Sequence, residues 1–165
     1  MRNLPDPGFP DDSGEASEAL VTALRAYDAD PAGLADATLE VLQHERLLVP
    51  VVAVLGEVEV DEAGLAHDKT SDMATVLTTG RDGRTALLAF TSTTALQRWD
   101  PQARPVPVSA SRAAEAAVQD GASAMVVDVA GPVLFVVETA DLRELAAGHT
   151  LAKVNDGYAW VRPVR

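Results

Sequence analysis

The chain contains no cysteine. That excludes disulfides, thiolate metal sites and cysteine nucleophiles together, and it is compatible with a reducing cytoplasm. Aromatic residues are scarce, at 4%, so a core has to be assembled from Ala, Val and Leu around Phe90, Trp99, Phe135 and Trp160. Lysine occurs only at Lys69 and Lys153, and basic residues never run together. Thirteen Lys and Arg face 25 Asp and Glu, a net charge of −12. Nucleic-acid binding works chiefly by neutralising phosphates with Lys and Arg, so no nucleic-acid partner is expected, and an anionic membrane surface is disfavoured for the same reason. No apolar stretch approaches the roughly 20 residues that span a bilayer; the longest, residues 47–55, is strand-sized. No apolar signal segment stands near Met1, and the expected location is the cytoplasm.

What is present is enough for one domain: 165 residues, 47% of them hydrophobic. Residues 1–13, with Pro5, Pro7, Gly8 and Pro10 among three aspartates, have the composition of a disordered tail. A helix is expected over residues 14–29, with Asp12 and Glu15 as a capping box. Asp30 caps a second helix that Pro31 opens. The β-branched run 47–55 reads as a buried strand, with Pro50 at an edge or bulge because it lacks an N–H. Residues 57–72 read as a long acidic loop. Strands 73–79 and 85–90 flank Asp82-Gly83, a hairpin turn signal. Ser109 and Gly121 bracket a helix, and strands are expected at 124–129 and 133–138. Thr139 is expected to cap a last helix that Gly148 ends. In residues 151–165, Asn155-Asp156-Gly157 marks a further turn, giving a tail or a hairpin. The sum is an α+β single domain over residues 14–150: a mixed, largely antiparallel sheet with helices covering one face.

Leu87-Leu88-Ala89-Phe90-Thr91-Ser92, followed by a short helix ending at Trp99-Asp100-Pro101, resembles the central signature of the SseB family. Val49-Pro50, Ser71-Asp72-Met73-Ala74 and Val127-Asp128-Val129-Ala130-Gly131-Pro132 resemble the flanking pieces of that pattern in the same order. The likeness covers roughly residues 36–145, in the style of actinobacterial members. It implies an α+β domain of the family's N-terminal type. The family name refers to enhanced serine sensitivity, a phenotype and not a reaction. The resemblance supplies no catalytic residue. Type III secretion appears in family labels, but no residue here supports that role. Larger members carry a second, C-terminal domain, whose functions do not carry over to this chain.

The chemistry-bearing residues form no familiar constellation. His44, His67 and His149 are not at metal-ligand spacing. A divalent ion held by Asp61, Glu62, His67 and Asp68 would break the alternate-ligand pattern of a calcium loop, and a solvated charge run is the simpler reading. No metal or cofactor is expected. The sequence has no G-x-S-x-G, and neither phosphate-cradling glycine motif. Ser92 follows a strand and precedes a helix, but Thr91, Thr93 and Thr94 beside it read as a capping cluster. That helix start is also a candidate anion site, with Arg98 or Arg112 as counter-charge. Trp99 either plugs the core or anchors an interface. Asp128 is expected to cap its own turn before Gly131-Pro132.

The expected function is therefore non-enzymatic: a protein-interaction or regulatory module. The alternative is a binding domain for a small anionic ligand such as an amino acid. The expected surface combines Thr91, Ser92, Thr93, Thr94, Arg98 and Trp99 with Glu59, Asp61 and Glu62 of the acidic segment. Its charge favours a protein partner with a basic surface, and a homo-oligomer is compatible with the composition.

Overall fold

The computed structural model describes residues 9–54, 59–60, 66–67 and 72–164. The chain begins with helices α1 (Glu18–Ala29) and α2 (Pro31–Leu42) and strand β1 (Arg46–Val54). Short strands β2 (Glu59–Val60) and β3 (Ala66–His67) pair antiparallel within the segment read as a loop. Then come β4 (Asp72–Thr75), β5 (Leu77–Thr79), β6 (Thr85–Ala89), α3 (Thr93–Trp99), β7 (Arg104–Ser109) and α4 (Ala110–Gln119). The chain continues through β8 (Ala124–Val127), β9 (Phe135–Val137), α5 (Thr139–Ala146), β10 (Thr150–Val154) and β11 (Gly157–Val161). The α+β class follows, with helices packed on a mixed, largely antiparallel sheet system.

The main sheet runs β5-β6-β8-β9, and its β6–β8 pair is parallel. A second sheet runs β4-β1-β7, antiparallel throughout. The two meet where Leu48 and Phe90 exchange backbone hydrogen bonds of 2.7 and 2.8 Å. That seam corrects the placement of Pro50, which lies in a central strand and is buried. Leu48 directs its N–H and C=O toward Phe90, so by alternation the nitrogen of Pro50 faces the same side. There β1 changes neighbour, from Phe90 to the β4 pairing that begins at Val51↔Thr75. The missing N–H falls in the gap. The same alternation turns the nitrogens of Pro105 and Pro107 away from β1, onto the free edge of β7. The expected strand 73–79 is also two strands. Its first half pairs with β1 and its second half with β6.

Both faces of the main sheet are covered, where one was expected. Leu87, Ala89, Met125 and Val127 face a large cluster with Leu20 and Leu24 of α1, Leu39 and Leu42 of α2, and Leu142 and Leu145 of α5. On α4, Ala110, Ala113, Ala114 and Ala117 repeat at helical spacing, and their small side chains bring that helix close to the strands. A longer side chain at Ala114 would overpack this face. The alternating partners Leu88 and Phe90 point the other way, into a smaller cluster with Leu48, Ala95 and Leu96. Each fully buried leucine contributes about 1.5–3 kcal/mol.

Two caps differ from expectation. Helix α1 starts at Ser17, whose hydroxyl accepts the Leu20 N–H, because Asp12 is engaged elsewhere. Thr139 is the first residue of α5 and donates to the Ser123 carbonyl, leaving Glu138 at the cap position. The β5–β6 hairpin closes as read, with Gly83 at φ 81°. Residues 150–161 form a hairpin, not a loose tail. The Gln43 amide accepts from the Leu151 N–H and donates to its C=O, both at 2.8 Å, and Trp160 Nε1 donates to Asp141 at 3.0 Å.

Candidate functional site

Parallel strands β6 and β8 run in register from Ala86↔Ala124 to Ala89↔Val127, so their carboxyl ends stop at one level. In sheets with parallel strands, the crevice beyond those ends is the common place for a ligand. The next polar residues are Thr91 after β6 and Asp128 after β8. Asp128 turns the chain at φ 55°, a left-handed conformation that Asp tolerates better than most residues. Its N–H donates to the Ala89 carbonyl at 3.0 Å. Its carboxylate accepts the Thr91 N–H at 2.8 Å and the Thr91 hydroxyl at 2.7 Å. Asp128 is 1% exposed and Thr91 4%. Burial pushes the Asp128 carboxyl above its ordinary pKa, and the two Thr91 bonds pull it part of the way back. The expectation that its side chain caps its own turn is therefore corrected. The backbone carbonyl of Asp128 takes the Gly131 N–H at 2.9 Å, and the side chain crosses to the neighbouring strand end.

The helix start beside it is already occupied. Ser92 caps α3 by accepting the Ala95 N–H at 3.1 Å, as its position suggested. The Thr93 N–H donates to the Gly14 carbonyl at 2.8 Å. Gly14 needs its φ of 78° and its missing side chain there, because a Cβ would strike Thr93 Oγ1. Arg46 fastens this crossing from below. It donates to the Thr91 carbonyl, to Asp12 Oδ1 and to the Glu15 carbonyl, each at 2.8 Å. So Asp12, placed by composition in the tail, is tied to the first strand.

Above this junction lies an open groove of about 380 Å³. Val21, Leu24, Pro132 and Val133 form its apolar walls. Glu15, Arg25, Ser92 and Thr94 supply polar groups, and Thr91 and Asp128 lie at its base. The structure thus brings Thr91, Ser92 and Thr94 to one site. Thr93 turns to the Gly14 crossing. Arg98 is exposed and reaches the adjacent loop, its Nη1 3.9 Å from where a Cβ on Gly131 would stand. Trp99 is half-buried at the far end of α3, packed on Phe90 with ring centroids 5.6 Å apart. Arg112 sits in the first turn of α4, its N–H donating to Ser109, and does not line the groove. Asp61 and Glu62 lie outside the described residues; Glu59 is placed in β2 by its backbone alone.

Sequence reading missed Arg46, Arg25 and the Pro132–Val133 wall. Arg46 carried one signal: it is the charged residue leading into the most apolar run of the chain. Among the described residues, no group of three or more His, Asp or Glu side chains is arranged to hold a metal. The expectation about Asp61, Glu62, His67 and Asp68 falls on residues whose side chains are not described. Among the described residues, no helix is long and apolar enough to cross a membrane.

These features define an α+β domain with a groove at the carboxyl ends of two parallel strands. The SseB protein N-terminal domain matches residues 20–144, and the chain belongs to the SseB family. No curated protein and no solved structure matches it.

Proposed function

We propose that this domain is a non-enzymatic interaction or regulatory module that receives its partner in the groove between α1, the start of α3 and the Asp128–Val133 loop. The observation that carries the reading is how the polar groups at the groove base are spent. Both Asp128 oxygens are engaged by Thr91, and the Ser92 hydroxyl caps α3. What remains for recognition is shape and the apolar wall of Val21, Leu24, Pro132 and Val133, with Arg25 and Glu15 at the rim. A short apolar segment of a protein partner fits such a surface. The net charge of −12 favours a partner whose surrounding surface is basic. The location that fits this role and the cysteine-free composition is the cytoplasm.

The alternative, a small anionic ligand at Thr91–Thr94, keeps one favourable feature, Arg25 on the groove wall. Against it, the anion would compete with the Gly14 carbonyl for the Thr93 N–H, beside the Asp128 carboxylate.

Two measurements separate these readings. Capture from native lysate compares the wild type with Val21→Glu and with Leu134→Glu, since Leu134 is exposed and does not line the groove. The interaction reading expects a protein retained by the wild type and Leu134→Glu and lost with Val21→Glu. A thermal-shift series with single amino acids and nucleotides tests the alternative. A ligand at 100 times its Kd stabilises by about 2.7 kcal/mol. Such a shift, together with capture indifferent to Val21→Glu, reverses the order of the two readings.

A further inference from the structure

We propose that the outer edge of β11 is a docking surface for a second copy of this chain, the two β11 strands pairing antiparallel about Ala159. This inference is independent of the groove. It begins with the hydrogen bonds of the C-terminal hairpin. The Gln43 side chain occupies both the N–H and the C=O of Leu151. The Leu151↔Trp160 pair is therefore the non-hydrogen-bonded kind. By alternation, the N–H and C=O groups of Tyr158 and Trp160 point away from β10. They have no backbone partner among the described residues, and β11 has no second strand neighbour. One edge of the hairpin is thus closed by a side-chain amide and the other is open.

Open edges are normally blunted by prolines, charges or bulges. The free edge of β7 follows that rule, with Pro105 and Pro107 removing outward donors and Arg104 adding charge. The β11 edge does not. Gly157–Val161 is uncharged in a chain of net charge −12. The exposed face of the hairpin is formed by Thr150, Ala152, Val154, Gly157, Ala159 and Val161, again without a charge. Val154 is 47% exposed and Val161 48%.

The occupant is identified by the flanking charges. Asp156 and Arg162 stand three residues either side of Ala159; both are exposed, and neither makes an ion pair among the described residues. A two-fold axis at Ala159 sets Tyr158 opposite Trp160 of the partner subunit as a hydrogen-bonded pair. It also sets Asp156 opposite Arg162 of the partner subunit. Both ends of the new ladder then carry opposite charges, which is the self-complementarity an isologous interface requires. A heterologous strand would have to supply the reversed charge pattern by chance, whereas a second copy carries it already.

The test is sedimentation velocity over a concentration series with wild type, Arg162→Asp, Asp156→Arg, the double charge swap, and Ala159→Lys. All three positions are exposed, and circular dichroism checks that the fold is kept. The wild type is expected to form a dimer. Each single charge change sets like charges opposite each other at both ends and should raise the dimer Kd roughly ten-fold. Ala159→Lys should do at least as much, by placing two ammonium groups together on the axis. The double swap should return the Kd to near the wild-type value. A wild type that stays monomeric throughout overturns the proposal. So does a dimer indifferent to these variants, and so does a double swap no better than the singles.

Discussion

On one face of the β6–β8 pair, four helices and the neighbouring strands bury a cluster of twenty side chains among the described residues. On the other, the seven-residue α3 helps bury five among the described residues, with Trp99 packed against Phe90 at the rim. The first face follows the usual economy of a small domain, aliphatic and closely packed. The second is thin among the described residues, and directional bonds position it: the Ser92 cap, the Thr91–Asp128 clamp and the three Arg46 contacts. The groove opens where the two layers meet. Among the described residues, most buried apolar side chains lie on one side of the sheet, and the presented segment is positioned by polar geometry on the other. Binding segments commonly belong to the less stable part of a fold.

The comparison is broken most forcefully in the cores. Leu42→Ala and Leu142→Ala, within the large cluster, are expected to cost about 2–5 kcal/mol in urea unfolding. Leu96→Ala, in the small cluster, is expected at the lower end of that range, because fewer neighbours surround the void and α3 can settle into it. Equal losses at Leu96 and Leu42 would mean that the two faces do not differ in the way described.

Next in size is the clamp. Asp128→Ala leaves the buried Thr91 N–H without its acceptor, at a cost of about 1–3 kcal/mol, and places Ala at φ 55°. Asp128→Asn keeps an acceptor and tolerates that backbone, so its loss near neutral pH should be much smaller. The two variants also separate by pH. Native Asp128 holds its proton to a higher pH than the unfolded chain does, because burial disfavours its charge. Its contribution to stability is therefore fully present below the ordinary carboxylate range. It declines as pH rises through the interval between the unfolded and native values. Denaturant midpoints of Asp128→Asn across that interval should lack this component of the wild-type slope. An unchanged slope would show that Asp128 does not titrate as described.

The smallest effect is local. Ser92→Ala should cost about 1 kcal/mol, and hydrogen exchange should quicken at Ala95 and Leu96 while the amides of α4 keep their protection. Quickening shared across α4 would show that the two faces open together.

Much of the thick face was legible because its signals are local. Ser109 and Gly121 around α4, Asp30 before Pro31, and Asp82-Gly83 between two strands each act within a few residues. The thin face was only half legible. Ser92 could be read as a cap from its neighbours, but the Thr91–Asp128 pair spans 37 positions. Nothing near Asp128 distinguishes a residue that caps its own turn from one that clamps another strand. The same distance effect misplaced the start of α1. Asp12 has the right spacing for a capping box, but Arg46 holds it, and Ser17 takes over. Pro50 was misjudged because a strand that changes partner halfway along looks like an edge strand when its neighbours are unknown.

The most direct measurement is an amide chemical-shift map of the ¹⁵N-labelled domain, titrated with the protein retained in the capture experiment. Binding in the groove is expected to move the amides of Ala16, Val21, Arg25, Ser92, Thr94 and Val133, while Val118 and Arg143 on the outer side of α4 and α5 stay in place. Shifts confined to Val118, Arg143 and their neighbours, with the groove amides unmoved, would contradict the placement of the binding surface at the strand ends.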